Sequence, residues 1–306
     1  MKYGRPIRVA TRSSALSLVQ AREAINILRK ALPEETFEII TLNSEGDLRK
    51  SESLSAMKRG MFANRIEQAV MEEEADLAVH SAKDVPSDLP DGLIISGYTK
   101  RLDPRDVLVH EGLENLMQLP SGFRIGTSSR RRACQVLNLR PDISIIPVRG
   151  NVDTRLNFPG KGEVDGVILA ASGLIRLNRS KDISAYIPVK ESIPDVGQGA
   201  LLLQCRDDET FPLLKSATDI VTQIAVCAER AFLSAIHGEC SSPVAAYAEI
   251  FGDEIIVKAM AGTPDGIEIY RTEVKGSIRQ PEQTGLNAVQ ALLDSGAADL
   301  IGPKYE

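Results

Sequence analysis

The chain has 306 residues, a formal net charge of −6, 43% hydrophobic, 25% charged and 4% aromatic residues, and no tryptophan. Such values are those of a globular protein with room for two or three domains, and they exclude a disordered or fibrous chain. The acidic balance argues against a global affinity for nucleic acid or anionic membrane, and so few aromatic rings cannot build a base-stacking platform.

The amino terminus runs into a strand with no apolar leader, and no stretch approaches the length of a membrane span, so a cytoplasmic protein without membrane or nucleic-acid partners is expected. The four cysteines, Cys134, Cys205, Cys227 and Cys240, form no Cys-x-x-Cys pair, and no metal is expected.

Taken in order, Ile7 to Thr11 reads as a strand, and Ser13 or Ser14 can cap a helix from Ala15 to Ala31. Arg12 and the serines then stand at a strand end and a helix amino terminus, where backbone N–H groups favour anions, although a solvent-facing arginine beside a cap fits equally well. Phe37 to Leu42 is a second strand. The polar stretch after Asn43 is long enough to be a lid, and a helix from about Met61 to Glu74 follows. Asp76-Leu-Ala-Val-His-Ser-Ala-Lys-Asp-Val-Pro organises the chain: Leu77, Ala78 and Val79 suit a strand buried in a parallel sheet, and His80, Ser81, Lys83 and Asp84 come just past its carboxyl end, the edge at which open α/β sheets bind ligands. Taken alone, Lys83 and Asp84 also fit two solvated loop charges before a turn.

Strands at Leu93 to Tyr98 and Asp106 to His110 flank a plausible domain crossing, and a second βα-rich half follows. It contains a strand at Phe123 to Gly126, a helix from Arg130 to Leu139, strands at Ile143 to Val148 and Asp165 to Ala170, and a short helix after Asn151. Two such halves predict two doubly wound domains with a cleft between them. Ile193 to Gly199 is a second crossing, returning through Ala200 to Leu203. The rest reads as a small α+β domain: a helix through Arg230 and Ile236, strands near Ala245 to Ile250, Glu254 to Met260 and Ile267 to Val274, and a helix near Ala288 to Leu293. The expected domains are residues 1–99 with 197–216, 104–194, and 217–306.

Arginines gather at the strand ends of the second half: Gly126-Thr-Ser-Ser-Arg-Arg-Arg, Arg149-Gly-Asn-Val-Asp-Thr-Arg155, and Arg176. Guanidinium forks bind carboxylates bidentately, so this set suits a small molecule with several carboxylates, although a run of three arginines also fits a solvated helix face. Cys240, in the loop His237-Gly-Glu-Cys-Ser-Ser-Pro, is better placed to react than a strand thiol such as Cys205, although spacing alone favours a structural thiol.

Together, Arg8-Val-Ala-Thr-Arg-Ser-Ser-Ala-Leu, the Asp76–Pro86 stretch, Gly126–Arg132, Arg149–Leu156, Val196-Gly-Gln-Gly-Ala and Glu229-Arg-Ala-Phe-Leu leading to Gly238-Glu-Cys resemble the porphobilinogen deaminase (hydroxymethylbilane synthase) family over almost the whole chain. The resemblance implies two domains like type II periplasmic binding proteins, plus a third whose Cys240 carries a dipyrromethane through a thioether. It implies a monomeric transferase of tetrapyrrole and heme biosynthesis that condenses four porphobilinogens on that primer, releases ammonia each time, and frees hydroxymethylbilane by hydrolysis. Asp84 matches the catalytic carboxyl, which supplies a proton to the leaving amine and then offsets the cationic azafulvenium. Arg12, Arg131, Arg132, Arg149, Arg155 and Arg176 match arginines that bind acetate and propionate groups, with Lys83, Ser14, Thr127, Ser129 and Gln198 as supporting contacts, and Arg59 and Phe62 belong to the lid. The chain departs from the family pattern at Met57-Lys58-Arg59, at Asn64-Arg65-Ile66-Glu67 and at Glu239. A non-catalytic anion-binding protein, or a pyrrole-binding homologue that does not elongate, would share this architecture.

Overall fold

The computed structural model describes residues 4–42, 64–112, 114–208, 214–236 and 243–302. The expected lid, with Arg59 and Phe62, and the loop bearing Glu239 and Cys240 lie outside the described residues. In chain order the elements are β1 (Ile7–Arg12), α1 (Ala15–Ala31), β2 (Phe37–Leu42), α2 (Asn64–Met71), β3 (Leu77–Ser81), β4 (Leu93–Tyr98), β5 (Asp106–His110), β6 (Arg124–Gly126), α3 (Arg130–Leu139), β7 (Ser144–Ile146), α4 (Val152–Leu156), β8 (Gly166–Ala170), α5 (Ala171–Arg176), β9 (Ala185–Tyr186), β10 (Leu201–Arg206), α6 (Ile220–Ala235), β11 (Val244–Phe251), β12 (Glu254–Gly262), β13 (Ile269–Ser277) and α7 (Pro281–Asp294). They divide into two compact units, Met1–Leu102 with Ala200–Gln223, and Asp103–Gly199 with Ile224–Glu306.

The first unit is a five-stranded sheet in the order β2-β1-β3-β10-β4. β1 runs parallel to β2 and β3, whereas β10 inserts antiparallel between β3 and β4, so the sheet is mixed rather than purely parallel. α1 lays Ala21, Ala24, Ile25 and Leu28 on the sheet, and its Ser14 cap accepts the Ser17 amide at 3.2 Å. With Val9, Leu77, Val79, Leu201 and Leu203 these residues make one core. β3 continues two residues past its apolar run, so His80 lies within the strand and not beyond it.

The strand starts are tied together by Asp76, which has no exposed surface. Its carboxylate accepts hydrogen bonds from Arg5 Nη1 and Nη2 at 2.7 and 2.8 Å and from the Arg8 amide and Nη2 at 2.8 and 2.9 Å. Burial alone would raise its pKa, but the bonds from Arg5 and Arg8 prevail and hold it well below the usual carboxylate range. A carboxyl depressed in the folded state contributes stability that is full above the unfolded value, near pH 4, and is lost as the pH falls below it. Asp76→Asn is therefore expected to cost about 2 kcal/mol near neutrality and almost nothing in strong acid. Urea unfolding at pH 7 and pH 2 measures the difference, and an equal cost at both would contradict the assignment.

The second unit holds a matching five-stranded sheet, β7-β6-β8-β5-β9, and a three-stranded antiparallel meander, β11-β12-β13. In the first of these β6 is parallel to β7 and β8, and β5 is antiparallel to β8. The architecture is thus α/β with a small α+β portion. α6 and α7 pack with the meander around Phe232 in a core rich in alanine, including Ala225, Ala228, Ala246 and Ala259. A Cβ at Gly285 of α7 would lie 2.1 Å from the Ala228 carbonyl, so the close approach of the two helices requires glycine there.

Candidate functional site

In the first unit the chain leaves β3 through a single 3-10 turn, Ala82–Asp84, closed by the Val85 amide on the Ala82 carbonyl. This half-buried turn presents Asp84 at the carboxyl end of β3, with Lys83 beside it. Asp84, Arg12, His80 and Ser81 line one recess of about 20 Å³, together with Thr11, Ser17, Gln20, Ile66 and Val79. Arg12 ends β1, the parallel neighbour of β3, so sheet topology brings together residues 72 positions apart in the sequence. Ser14 shares a 2.8 Å hydrogen bond with the Ser17 hydroxyl besides capping α1.

His80 is buried, and its Nε2 lies 3.0 Å from Gln204 Oε1 on β10. Gln204 Nε2 in turn donates to Glu67 Oε1 on α2 at 2.9 Å. Burial lowers the His80 pKa to about 4, against the bond to Gln204 and helped by the positive charge of Arg12, so the ring is neutral at physiological pH. Burial also raises Glu67, which the Gln204 bond partly offsets.

In the second unit the expected anion site has a buried foundation. Asp106, at the start of β5, is fully buried and accepts from Arg131 Nη1 at 2.8 Å, Arg132 Nε at 3.0 Å, Ser192 Oγ at 3.0 Å and Gln198 Nε2 at 2.9 Å. Burial would raise its pKa, but the charges and hydrogen bonds of Arg131 and Arg132 hold it far below the usual range. Arg131 also donates to the Ile193 carbonyl at 2.6 Å, and Arg132 to the Ile168 carbonyl at 3.1 Å. Both arginines, read from the sequence as ligand-facing, are only 5% exposed. Gln198 has no exposed surface and spends its amide on Asp106 and the Pro104 carbonyl. The buried Arg131 Nε finds no hydrogen-bond acceptor among the described residues.

Two hydroxyls shape the start of α3. Thr127 Oγ1 accepts the Ser129 amide, and Ser129 caps α3 by accepting the Arg132 amide at 3.4 Å. Arg149 is half-buried and follows β7. Gly150 after it has φ 112°, and a Cβ there would meet Thr154 at 2.6 Å, so the turn that carries Arg149 into α4 needs glycine. Arg155 lies on α4, and Arg176, at the end of α5, donates to the Gly199 carbonyl at 3.2 Å. Glu229 of α6, fully buried, accepts the Gly197 and Ala248 amides at 2.7 and 2.8 Å and so ties the crossing segment to the meander. The three described cysteines are thiols raised by burial, Cys134 and Cys205 to about 11, which leaves them poor nucleophiles.

The family model described as "Porphobilinogen deaminase, dipyromethane cofactor binding domain" matches residues 7–212, and "Porphobilinogen deaminase, C-terminal domain" matches residues 223–294. The chain belongs to the porphobilinogen deaminase family. A porphobilinogen deaminase of Brevibacillus brevis is 43% identical over 96% of both chains, and that of Clostridioides difficile is 42% identical over 94% of this chain and 97% of its own. One from Alkaliphilus metalliredigens is 40% identical over 97% of this chain and 95% of its own. The periplasmic VFT2 domain of Bordetella pertussis BvgS is a loose structural likeness, with a TM-score of 0.41 and 14% identity over 69% of this chain and 86% of that one.

A dipyrromethane that carries acetate and propionate groups is a polycarboxylate, and the second unit suits one chemically. Its strand ends carry arginines and hydroxyls, and Asp106, a carboxylate buried beside them, is matched by Arg131 and Arg132. The unsatisfied Arg131 Nε is a further donor awaiting an acceptor. Among the described residues no cluster of His, Cys, Asp or Glu could hold a metal, and no helix is long and apolar enough to cross a membrane.

Proposed function

We propose that this chain is the hydroxymethylbilane synthase of tetrapyrrole biosynthesis, joining four porphobilinogens with loss of ammonia at each step and releasing the linear product by hydrolysis. The observation that carries the reading is Asp84 beside Arg12 at the carboxyl end of β3, in a chain that matches the family through both of its models. The carboxylate of Asp84 accepts pyrrole N–H groups and offsets the positive charge left on the substrate when the amine departs. Arg12 and Lys83 hold substrate carboxylates.

Arg149, Arg155 and Arg176 bind acetate and propionate groups. Arg131 and Arg132, oriented by Asp106, add positive potential beneath them, with Arg131 Nε still open to an acceptor. Ser14, Thr127 and Ser129 hold the helix starts in place, and Gln198 serves the Asp106 cluster. When bound, a dipyrromethane on Cys240 supplies the free pyrrole carbon to which the first substrate is joined. The reading extends to a cytoplasmic monomer, supported by the acidic charge, which keeps chains soluble and apart.

Intact mass of the purified protein tests it. The wild-type chain is expected to exceed its sequence mass by two linked pyrrole units, and Cys240→Ser to match its sequence mass and make no hydroxymethylbilane. A wild-type chain that stays unmodified after incubation with hydroxymethylbilane would instead be a binding protein of the same architecture.

A further inference from the structure

We propose that the recess lined by Asp84, His80 and Ser81 is a leaving-group subsite, which receives the aminomethyl ammonium of the substrate and holds it as ammonia departs. The inference rests on the proposed activity and adds to it a place for the nitrogen.

The recess, at about 20 Å³, has room for one water-sized group, and an ammonium is that size. An ammonium has three N–H donors and needs acceptors. Asp84 supplies a carboxylate and Ser81 a hydroxyl oxygen. His80 supplies the third through its tautomer. Gln204 Nε2 donates to Glu67, so the Gln204 oxygen, which can only accept, faces His80, and His80 Nε2 carries the proton. Nδ1 is left as a lone-pair acceptor. The ring is also uncharged, because burial and Arg12 disfavour the imidazolium. With Arg12 already at the recess to hold a substrate carboxylate, a second cation would repel an ammonium. In the step itself the C–N bond breaks, its electron pair leaves with nitrogen, and NH3 departs with the three protons it already carried. The positive charge stays on the substrate methylene-pyrrole, opposite Asp84.

The test uses full-length holoprotein labelled with 15N-histidine and titrated with methylammonium chloride against sodium chloride at equal ionic strength. His80→Asn identifies the His80 signals among the three histidines. The expected result is an Nε2–H tautomer from pH 6 to 9 whose Nδ1 resonance shifts on methylammonium, with porphobilinogen reversing the shift. Methylammonium should also inhibit competitively, its inhibition constant rising about tenfold or more in His80→Leu and less in His80→Asn, which keeps an uncharged acceptor. A purely structural role for His80 would lower the melting temperature in both variants without separating these constants. An Nδ1–H tautomer, an imidazolium, or an Nδ1 signal indifferent to methylammonium in a protein that turns over would overturn the subsite alone. A shifting Nδ1 in a wild-type protein that makes no hydroxymethylbilane would overturn the proposed activity and leave the subsite standing.

Discussion

Asp84→Ala is expected to lower kcat by on the order of 10³-fold while the protein stays folded, because it removes the charge proposed to offset the developing cation. The fold should survive. Asp84 is half-buried, and the turn that carries it is closed by backbone atoms, Val85 to Ala82, rather than by the carboxylate. Asp84→Asn separates the two contributions, since the amide keeps an acceptor oxygen and loses the charge. If charge dominates, Asn is nearly as inactive as Ala. Single-turnover assays of product with melting curves on the same preparations measure both, and near-normal turnover in either variant would end the role given to Asp84.

Asp106→Ala acts on stability. Removing this carboxylate strands two guanidinium groups that are each only 5% exposed, and breaking a buried ion pair from one side costs about 3–5 kcal/mol. Ser192 and Gln198 lose their acceptor as well. For a unit of this size that corresponds to a fall in melting temperature of about 10 °C. Because the Asp106 carboxyl is depressed in the folded state, the penalty should be full above about pH 4 and shrink in strong acid. Differential scanning calorimetry of the wild type and Asp106→Ala at two pH values gives the answer, and a loss below about 1 kcal/mol would show that the arginines find other partners.

Much of the local structure is legible in the sequence. The near-helical spacing of Leu16, Val19, Ala24, Ile27 and Leu28 after Ser13 or Ser14 predicts α1 from Ala15 to Ala31, where it is found with Ser14 as its cap, although its apolar buried residues are Ala21, Ala24, Ile25 and Leu28; α3 likewise runs from Arg130 to Leu139 as expected. α7 is less legible. Its apolar spacing marks only Ala288 to Leu293, yet the helix begins at Pro281, because Thr284 and Gly285 are buried against neighbours the sequence does not name. β3 outruns its apolar stretch for a similar reason: His80 is tolerated in the sheet because Gln204 faces it.

The sequence by itself determined the family, since Asp84, Arg12, Arg149, Arg155, Arg176 and Cys240 stand in motifs whose residue types and order are readable without coordinates. Only the tertiary structure decided what those motifs rest on. Asp106 meets Arg131 and Gln198 across 25 and 92 residues, Gln204 meets His80 and Glu67 across 124 and 137, and Glu229 meets Gly197 across 32. Helix and strand periodicities report neighbours one turn or one pleat away, and a buried polar group must find its partner wherever the chain returns, a distance that no local pattern encodes.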